Sequence, residues 1–380
     1  MKKKKIIFWS PFLSNVGTKL AVLNSAMSLS KNNINKIYIF NVLGEFNGFK
    51  NTKIEIINIF NIERYLPKTK VFSKFFLILI CIYSIPFLIF YIRKHKFDYL
   101  VSNLMSIIPL VCNFFFLNTK IILSIQGYPR FNILRSYLWK FFYSKAYLII
   151  VMSNATKKII SKIIKPNTKI VKINNPIITD KIKKYANEKI EKKYNFIFKK
   201  KVAICVGRLT RQKNYYQLIS SLSRNKIFNK KYNLVILGEG EDRKKLDNFI
   251  LENKINNIFL LGYKKNPYKY IKNSDVFISS SLWEDPGHSL IEAASLKIPI
   301  ITSNCPAAPN EIFINNLNSI KFKLKNFDKD INASFNIFDR MNLEIKKKLC
   351  KKALEISKNF TPKNYLSKIQ SHIYENKHTY

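Results

Sequence analysis

Residues 279–312 read SSSLWEDPGHSLIEAASLKIPIITSNCPAAPNEI. The apolar run just before them, Val276–Ile278, predicts a strand, the SLIEAA pattern from Ser289 a helix, and Ile298–Thr302 a second strand. Strand, helix and strand in so short a span make a crossover unit, and crossover units build parallel sheets. Pro286 and Gly287 hold the connecting loop open, and the first turn of the helix exposes backbone N–H groups where the dipole favours a phosphate. Glu284 lies on that loop, facing the reacting group in the simplest geometry. Glu292 lies about one turn into the helix and can reach the same ligand.

Working outward, the alternation continues in both directions. Val202–Val206, Leu234–Leu237 and Ile258–Leu261 precede the motif as strands; further upstream come Ile6–Trp9, Ile37–Phe40, Ile54–Ile59, Tyr99–Val101, Ile121–Ile125 and Tyr147–Met152. Helical segments such as Gly17–Ser30 and Arg135–Ser144 lie between them. The fold class is α/β, with two doubly wound domains: 1–175, and 201–360 after a polar, Lys-rich linker at 176–200. A last helix, 361–380, is expected to pack back towards the first domain.

Composition narrows the function. The formal net charge of +43 first suggests nucleic acid or an anionic membrane surface, yet 57 of the 66 basic residues are Lys and only 9 are Arg. Direct base readout leans on Arg, and neither an Arg-bearing basic helix nor an aromatic-studded sheet is present, so no nucleic-acid partner is expected. The five cysteines form no C-x-x-C pair and sit in or beside apolar runs, which reads as reduced core residues and no metal site. MKKKKIIFWSPF has too short an apolar run for a signal peptide and reads as a first strand. Phe75–Ile92, 18 residues without a charge, reads as one apolar helix kinked at Pro86. It could be buried, span a membrane, or lie in the bilayer interface between Lys74 and Arg93; the interfacial version is favoured.

Three further strand ends carry residues of interest. In VAICVGRLTRQKNYYQLI, Gly207 lets the backbone approach a ligand, and Arg208 and Lys213 near a helix N-terminus favour a diphosphate. Gly238 and Gly240 form a tight turn in GEGEDRKKL, and Gly262-Tyr263 places an aromatic where it could stack on a nucleobase.

Together these stretches resemble the donor site of the retaining nucleotide-sugar glycosyltransferases of family 4, the "group 1" glycosyltransferases, whose two-domain fold is called GT-B. The E-x7-E signature matches Glu284 and Glu292; G-R-L-x-x-x-K-N matches Gly207, Arg208, Leu209, Lys213 and Asn214; C-P-x-x-P-x-E-I matches Cys305 to Ile312. The resemblance implies two Rossmann-like domains facing across a cleft. It also implies that Arg208 and Lys213 hold the donor diphosphate, helped by the backbone at Ser289 and Leu290, that Glu292 accepts ribose hydroxyls, that Tyr263 flanks the base, and that Glu284 contacts the transferred sugar. Gly17 matches an N-terminal glycine loop. Where many members carry a histidine over the sugar, this chain has Gln126. His288 is expected as a loop residue near the donor without a proton-transfer role, and Asp328-Lys329-Asp330 as surface acid, not a metal site.

The expected protein is therefore a retaining glycosyltransferase of bacterial surface polysaccharide or lipopolysaccharide synthesis. It would need no cofactor beyond its nucleotide-diphosphate sugar substrate, use a glycan or lipid-linked glycan acceptor, and work in the cytoplasm at the inner face of the membrane. Alternatives are another GT-B enzyme, such as a sugar-nucleotide epimerase or phosphorylase, or a basic nucleic-acid-binding protein.

Overall fold

Runs such as IIFW, LIIV and KVAICV are apolar on both faces, which suits strands covered by helices on either side. In a computed structural model they form two parallel sheets. The structure describes residues 3–12, 17–31, 34–62, 65, 70–115 and 118–374, with 70–75 described by backbone alone. By internal contacts the chain divides into one unit of Met1–Pro176 with Pro362–Tyr380 and a second of Ile177–Thr361.

The first unit holds β1 (Lys4–Trp9), α1 (Gly17–Ser30), β2 (Asn35–Asn41), β3 (Ile54–Asn58), α2 (Lys70–Tyr83), α3 (Ile85–His95), β4 (Tyr99–Ser102), α4 (Ile107–Cys112), β5 (Lys120–Ser124), α5 (Ile133–Phe142), β6 (Leu148–Val151), α6 (Asn154–Ser161) and β7 (Ile170–Lys172). Its sheet runs β3-β2-β1-β4-β5-β6-β7. One core fills the side under α2–α5, with Cys81, Leu88, Ile92, Trp139 and Tyr143 pointing inward.

The apolar stretch expected as one helix is two. Pro86 lacks an N–H and its ring crowds the carbonyl four residues back, so the helix ends at Tyr83 and α3 starts after buried Ser84, whose Oγ donates to the Cys81 carbonyl at 2.7 Å. Among the described residues no single helix is long and apolar enough to cross a membrane; Phe76–Tyr83 and Ile85–His95 reach that length only as a pair bent by 40°.

The second unit holds α7 (Asp180–Ala186), β8 (Lys201–Val206), α8 (Tyr215–Ser223), α9 (Lys226–Lys231), β9 (Tyr232–Leu237), α10 (Arg243–Glu252), β10 (Ile258–Gly262), α11 (Tyr268–Lys272), β11 (Val276–Ser279), α12 (His288–Ser295), β12 (Ile300–Ser303), α13 (Ala308–Ile312), β13 (Ile320–Phe322), α14 (Phe327–Arg340) and α15 (Leu343–Ser357). The sheet order is β10-β9-β8-β11-β12-β13. Residues 177–200 are not a free linker. Ile177, Ile182, Ala186 and Ile197 are buried in this unit's core, because the Lys-rich stretch carries enough apolar residues on one side to pack. After Thr361 the chain returns to the first unit as α16 (Pro362–Ile373). There Tyr365, Ile369 and Ile373 pack with Val22, Ala26 and Leu29 of α1, and Tyr99 donates its hydroxyl to the Ile373 carbonyl at 2.7 Å.

Candidate functional site

In the second sheet, β8 and β11 are neighbours although β9 and β10 come between them in sequence; Ala203 pairs with Val276 and Ile204 with Phe277. Crossovers run away from this seam in both directions, so the loops after β8 and β11 emerge side by side. That is where open α/β sheets bind ligands.

Those two loops carry Lys213 and Glu284, and the structure brings them together. Lys213 Nζ forms an ion pair with Glu284 Oε1, both side chains being largely out of water. Ser281 donates to the same carboxylate oxygen at 3.0 Å. The loops are laced by backbone and side chain alike: Ser280 Oγ donates to the Lys213 carbonyl at 2.6 Å, Leu282 N–H to Gln212 O at 2.8 Å, and Gln212 Nε2 to Trp283 O at 2.9 Å. Ser303 Oγ, at the end of β12, holds the Ser281 carbonyl at 2.6 Å. A buried ion pair with satisfied secondary hydrogen bonds is a fixed charge arrangement, which is what a site for a charged ligand requires.

Under this pair sits α12. Glu292 is buried, its carboxyl pushed up to about 7 by burial, against the hydrogen bond from Tyr268 Oη at 3.2 Å and the field of Lys213. His288 opens the helix; burial pushes its imidazole down to about 4, with Glu284 opposing and Lys213 assisting, so it is neutral near pH 7. The cation thus acts on Glu284, His288 and Glu292 at once. Gly287 caps the helix with φ +81°. The Leu290 N–H, expected to be open to a ligand, is instead taken by the Gly287 carbonyl at 3.1 Å in the tight first turn.

The glycines explain how the loops fit. A Cβ on Gly207 would stand 2.6 Å from Lys213 Cε, so its absence lets the lysine stem lie along the backbone. A Cβ on Gly238 would stand 1.9 Å from the Gly207 carbonyl oxygen. Backbone hydrogen bonds join the same strand ends, from Gly207 N–H to Leu237 O at 3.0 Å and from Gly238 N–H to Gly262 O at 2.9 Å. These residues serve close approach of chain to chain, which holds Lys213 and its loop in place.

Arg208 stands exposed beside this cluster and makes no ion pair among the described residues. Tyr263, just past β10, is 56% exposed, as a residue offering a ring to a ligand would be. Ser289 follows His288 at the start of α12. Gly17 and Gln126 belong to the first unit. Gly17 is the first residue of α1; Gln126 accepts from Asn175 Nδ2 at 2.8 Å and donates to Ser124 Oγ at 2.8 Å, so its amide is held in one orientation. Asp328 pairs with Arg224 at the surface, and among the described residues no group of His, Cys, Asp and Glu could hold a metal ion. All five cysteines are buried and free.

Ser281, Ser303, Gln212 and Tyr268 were missed by sequence reasoning. The triple serine at 279–281, at the end of a strand, was the available signal for the first of these.

Residues 186–353 match the family described as glycosyl transferases group 1. Over 253 residues the chain is 40% identical to an uncharacterized glycosyltransferase of Methanocaldococcus jannaschii, covering 60% of each. Over 116 residues it is 34% identical to the N-acetylgalactosamine-N,N'-diacetylbacillosaminyl-diphospho-undecaprenol 4-alpha-N-acetylgalactosaminyltransferase of Campylobacter jejuni, 30% of this chain and 31% of that one. The chain therefore spans about 60% of the first of these relatives and about a third of the second. A crystal structure of a glycosyltransferase from Rickettsia africae superposes with a TM-score of 0.76 over 99% of this chain and 100% of that one, at 18% identity, a likeness of fold.

Proposed function

We propose that the protein is a retaining glycosyltransferase, on the premise that residues 186–353 match the group 1 glycosyl transferases and that the chain forms two parallel α/β sheets. It transfers a hexose or N-acetylhexosamine from a nucleotide-diphosphate sugar to a glycan acceptor, in our reading a lipid-linked one in bacterial surface polysaccharide or lipopolysaccharide assembly, at the cytoplasmic face of the membrane. The names of the curated relatives support this class, one of them acting on a diphospho-undecaprenol-linked sugar.

The observation that carries the reading is the Lys213–Glu284 pair at the β8/β11 seam. Lys213 and the exposed Arg208 supply positive charge for a diphosphate. Glu284 presents an acceptor group for sugar hydroxyls, with Ser281 and Lys213 fixing its orientation. Glu292 accepts the ribose hydroxyls, the Ser289 N–H adds a donor to the diphosphate, and Tyr263 flanks the base. In the first unit the Gln126 amide, held in one orientation, is a neutral group suited to a hydroxyl, and Gly17 stands at the start of α1.

In the reaction, the bond from the sugar's anomeric carbon to the phosphate oxygen breaks while the acceptor hydroxyl oxygen bonds to that carbon from the same face. The acceptor's proton passes to the departing phosphate oxygen. No side chain takes that proton, so the enzyme's part is electrostatic support of the leaving group and placement of the acceptor. This is tested by incubating purified protein with labelled nucleotide sugars and lipid-linked acceptors. Arg208→Ala and Glu284→Ala should each abolish transfer while the fold persists; full activity in both would sink the assignment.

A further inference from the structure

The layer formed by α2 to α5 is apolar on its inner side, as a core layer must be, and apolar on its outer side as well. Ile82, Tyr83 and Phe90 on α2 and α3 are each half exposed or more; Ile133, Leu134 and Tyr137 on α5 are each more than two-thirds exposed. Each helix touches the next, so these residues share one layer. The opposite face of the same sheet, under α1 and α16, shows one exposed large apolar side chain among the described residues, Leu20. Apolar exposure on this scale, confined to one face, marks a contact surface.

What the surface would contact follows from its charges. From Lys70 to Lys145, the span of α2 to α5 and the residues just after, the sequence carries 10 Lys and Arg and a single acid, Asp98. Asp98 is already engaged by Lys4 Nζ and the Lys5 N–H, each at 2.9 Å. The cations sit among the rings: Lys145 Nζ lies 3.7 Å from the centre of Phe114 and 4.6 Å from that of Phe141, while Arg93, Lys94 and Lys140 are exposed. A second copy of such a face offers these cations no acid and would repel them. Aliphatic and aromatic side chains with interleaved cations match the boundary between headgroups and acyl chains of an anionic bilayer.

We infer that the α2–α5 layer seats the protein on an anionic lipid bilayer, lying in the interface without spanning it, with α5 as a second contact beside α2 and α3. This deepens the membrane part of the reading above by naming the surface, and it holds or fails without any sugar chemistry.

The test uses the full chain and vesicles of phosphatidylcholine alone or mixed with phosphatidylglycerol. Co-sedimentation should favour the anionic vesicles about ten-fold or more at about 0.1 M salt, a preference that fades near 1 M. The I133S/L134S/Y137S variant should bind the anionic vesicles about ten-fold more weakly or worse, and so should I82S/F90S, while L251S/L343S on the second unit should bind as the parent chain does. Y137S alone, at a side chain in water, gives a smaller loss in the same direction and guards against misfolding of the triple variant. Alkaline carbonate should release the bound protein. Unchanged binding by the face variants, or retention through carbonate, overturns the proposal. So does a parent chain that ignores vesicles and forms a dimer that the same variants split. Nucleotide-sugar binding by each variant, measured in parallel, separates failure of the membrane surface from failure of the enzymatic reading.

Discussion

The two units share one plan, a parallel sheet between helices, and use it differently. The first carries five acidic residues against thirty basic ones, the second eighteen against thirty-six. In the second unit acids and bases are paired and some are buried: Lys213 with Glu284, Lys231 with Asp339, Glu292 under Tyr268. In the first, the strand ends carry the uncharged groups Ser10, Asn103, Gln126 and Asn175; one carboxyl, Glu45 after β2, is buried and pushed up to about 7 by that burial, with no cation among the described residues paired to it as Lys213 is to Glu284. The difference teaches where each unit's specificity resides. A unit that fixes buried charge can stabilise charge on a ligand, and one that leaves cations unpaired on an apolar face can meet an anionic surface.

The sharpest way to break this contrast is Lys213→Ala. It leaves Glu284 without its cation, so we expect a loss of about 3 to 5 kcal/mol in stability, read by urea unfolding. Transfer should fall about a thousand-fold or more with it. A variant as stable and active as the parent would show the pair to be ornamental. Gly238→Ala comes next. Its Cβ would meet the Gly207 carbonyl oxygen at 1.9 Å, and the loop must move at a cost of about 1 to 3 kcal/mol, visible as a lowered thermal midpoint.

Two pH effects sharpen the comparison further. Glu292 has a folded value, about 7, above its ordinary 4.5, so its contribution is present below pH 4.5 and lost as pH rises through 7. Against Glu292→Gln, the parent should lose relative stability over that window. His288 is lowered from 6.5 to about 4, so its contribution is present above 6.5 and lost as pH falls through 4; His288→Gln should remove that acid-side decline. Urea midpoints from pH 4 to 8 read both, and slopes of the opposite sign would refute the burial assignments. The smallest effect is Tyr137→Ser in the first unit, a side chain already in water, where stability should change by no more than about 0.5 kcal/mol. A large loss would mean that the apolar face is packed after all.

Much of the architecture was legible in the sequence, because strands buried on both sides are short unbroken apolar runs and Gly, Pro and Asn mark their ends. Glu284, Glu292, Arg208 and Lys213 stood out by their spacing within strand-end loops. The contact between Lys213 and Glu284 could not be read, since it depends on β8 and β11 being neighbours across two intervening strands. The outward side of α5 was equally hidden: an apolar helical pattern does not say how much of it the sheet will cover. In 176–200 the many lysines hide four apolar residues that pack, so the sequence pattern reads as a linker where the chain folds into the second unit's core.

The return of α16 to the first unit sets an order of assembly. On the ribosome the first unit's seven strands emerge before any of the second unit, yet the helix that covers Val22, Ala26 and Leu29 is made after the second unit. The second unit, contiguous from Ile177 to Thr361, has all its residues in hand earlier. During synthesis the first-made half must therefore wait with one flank bare until α16 arrives, and a chain cut short before Pro362 would keep that flank open to aggregation.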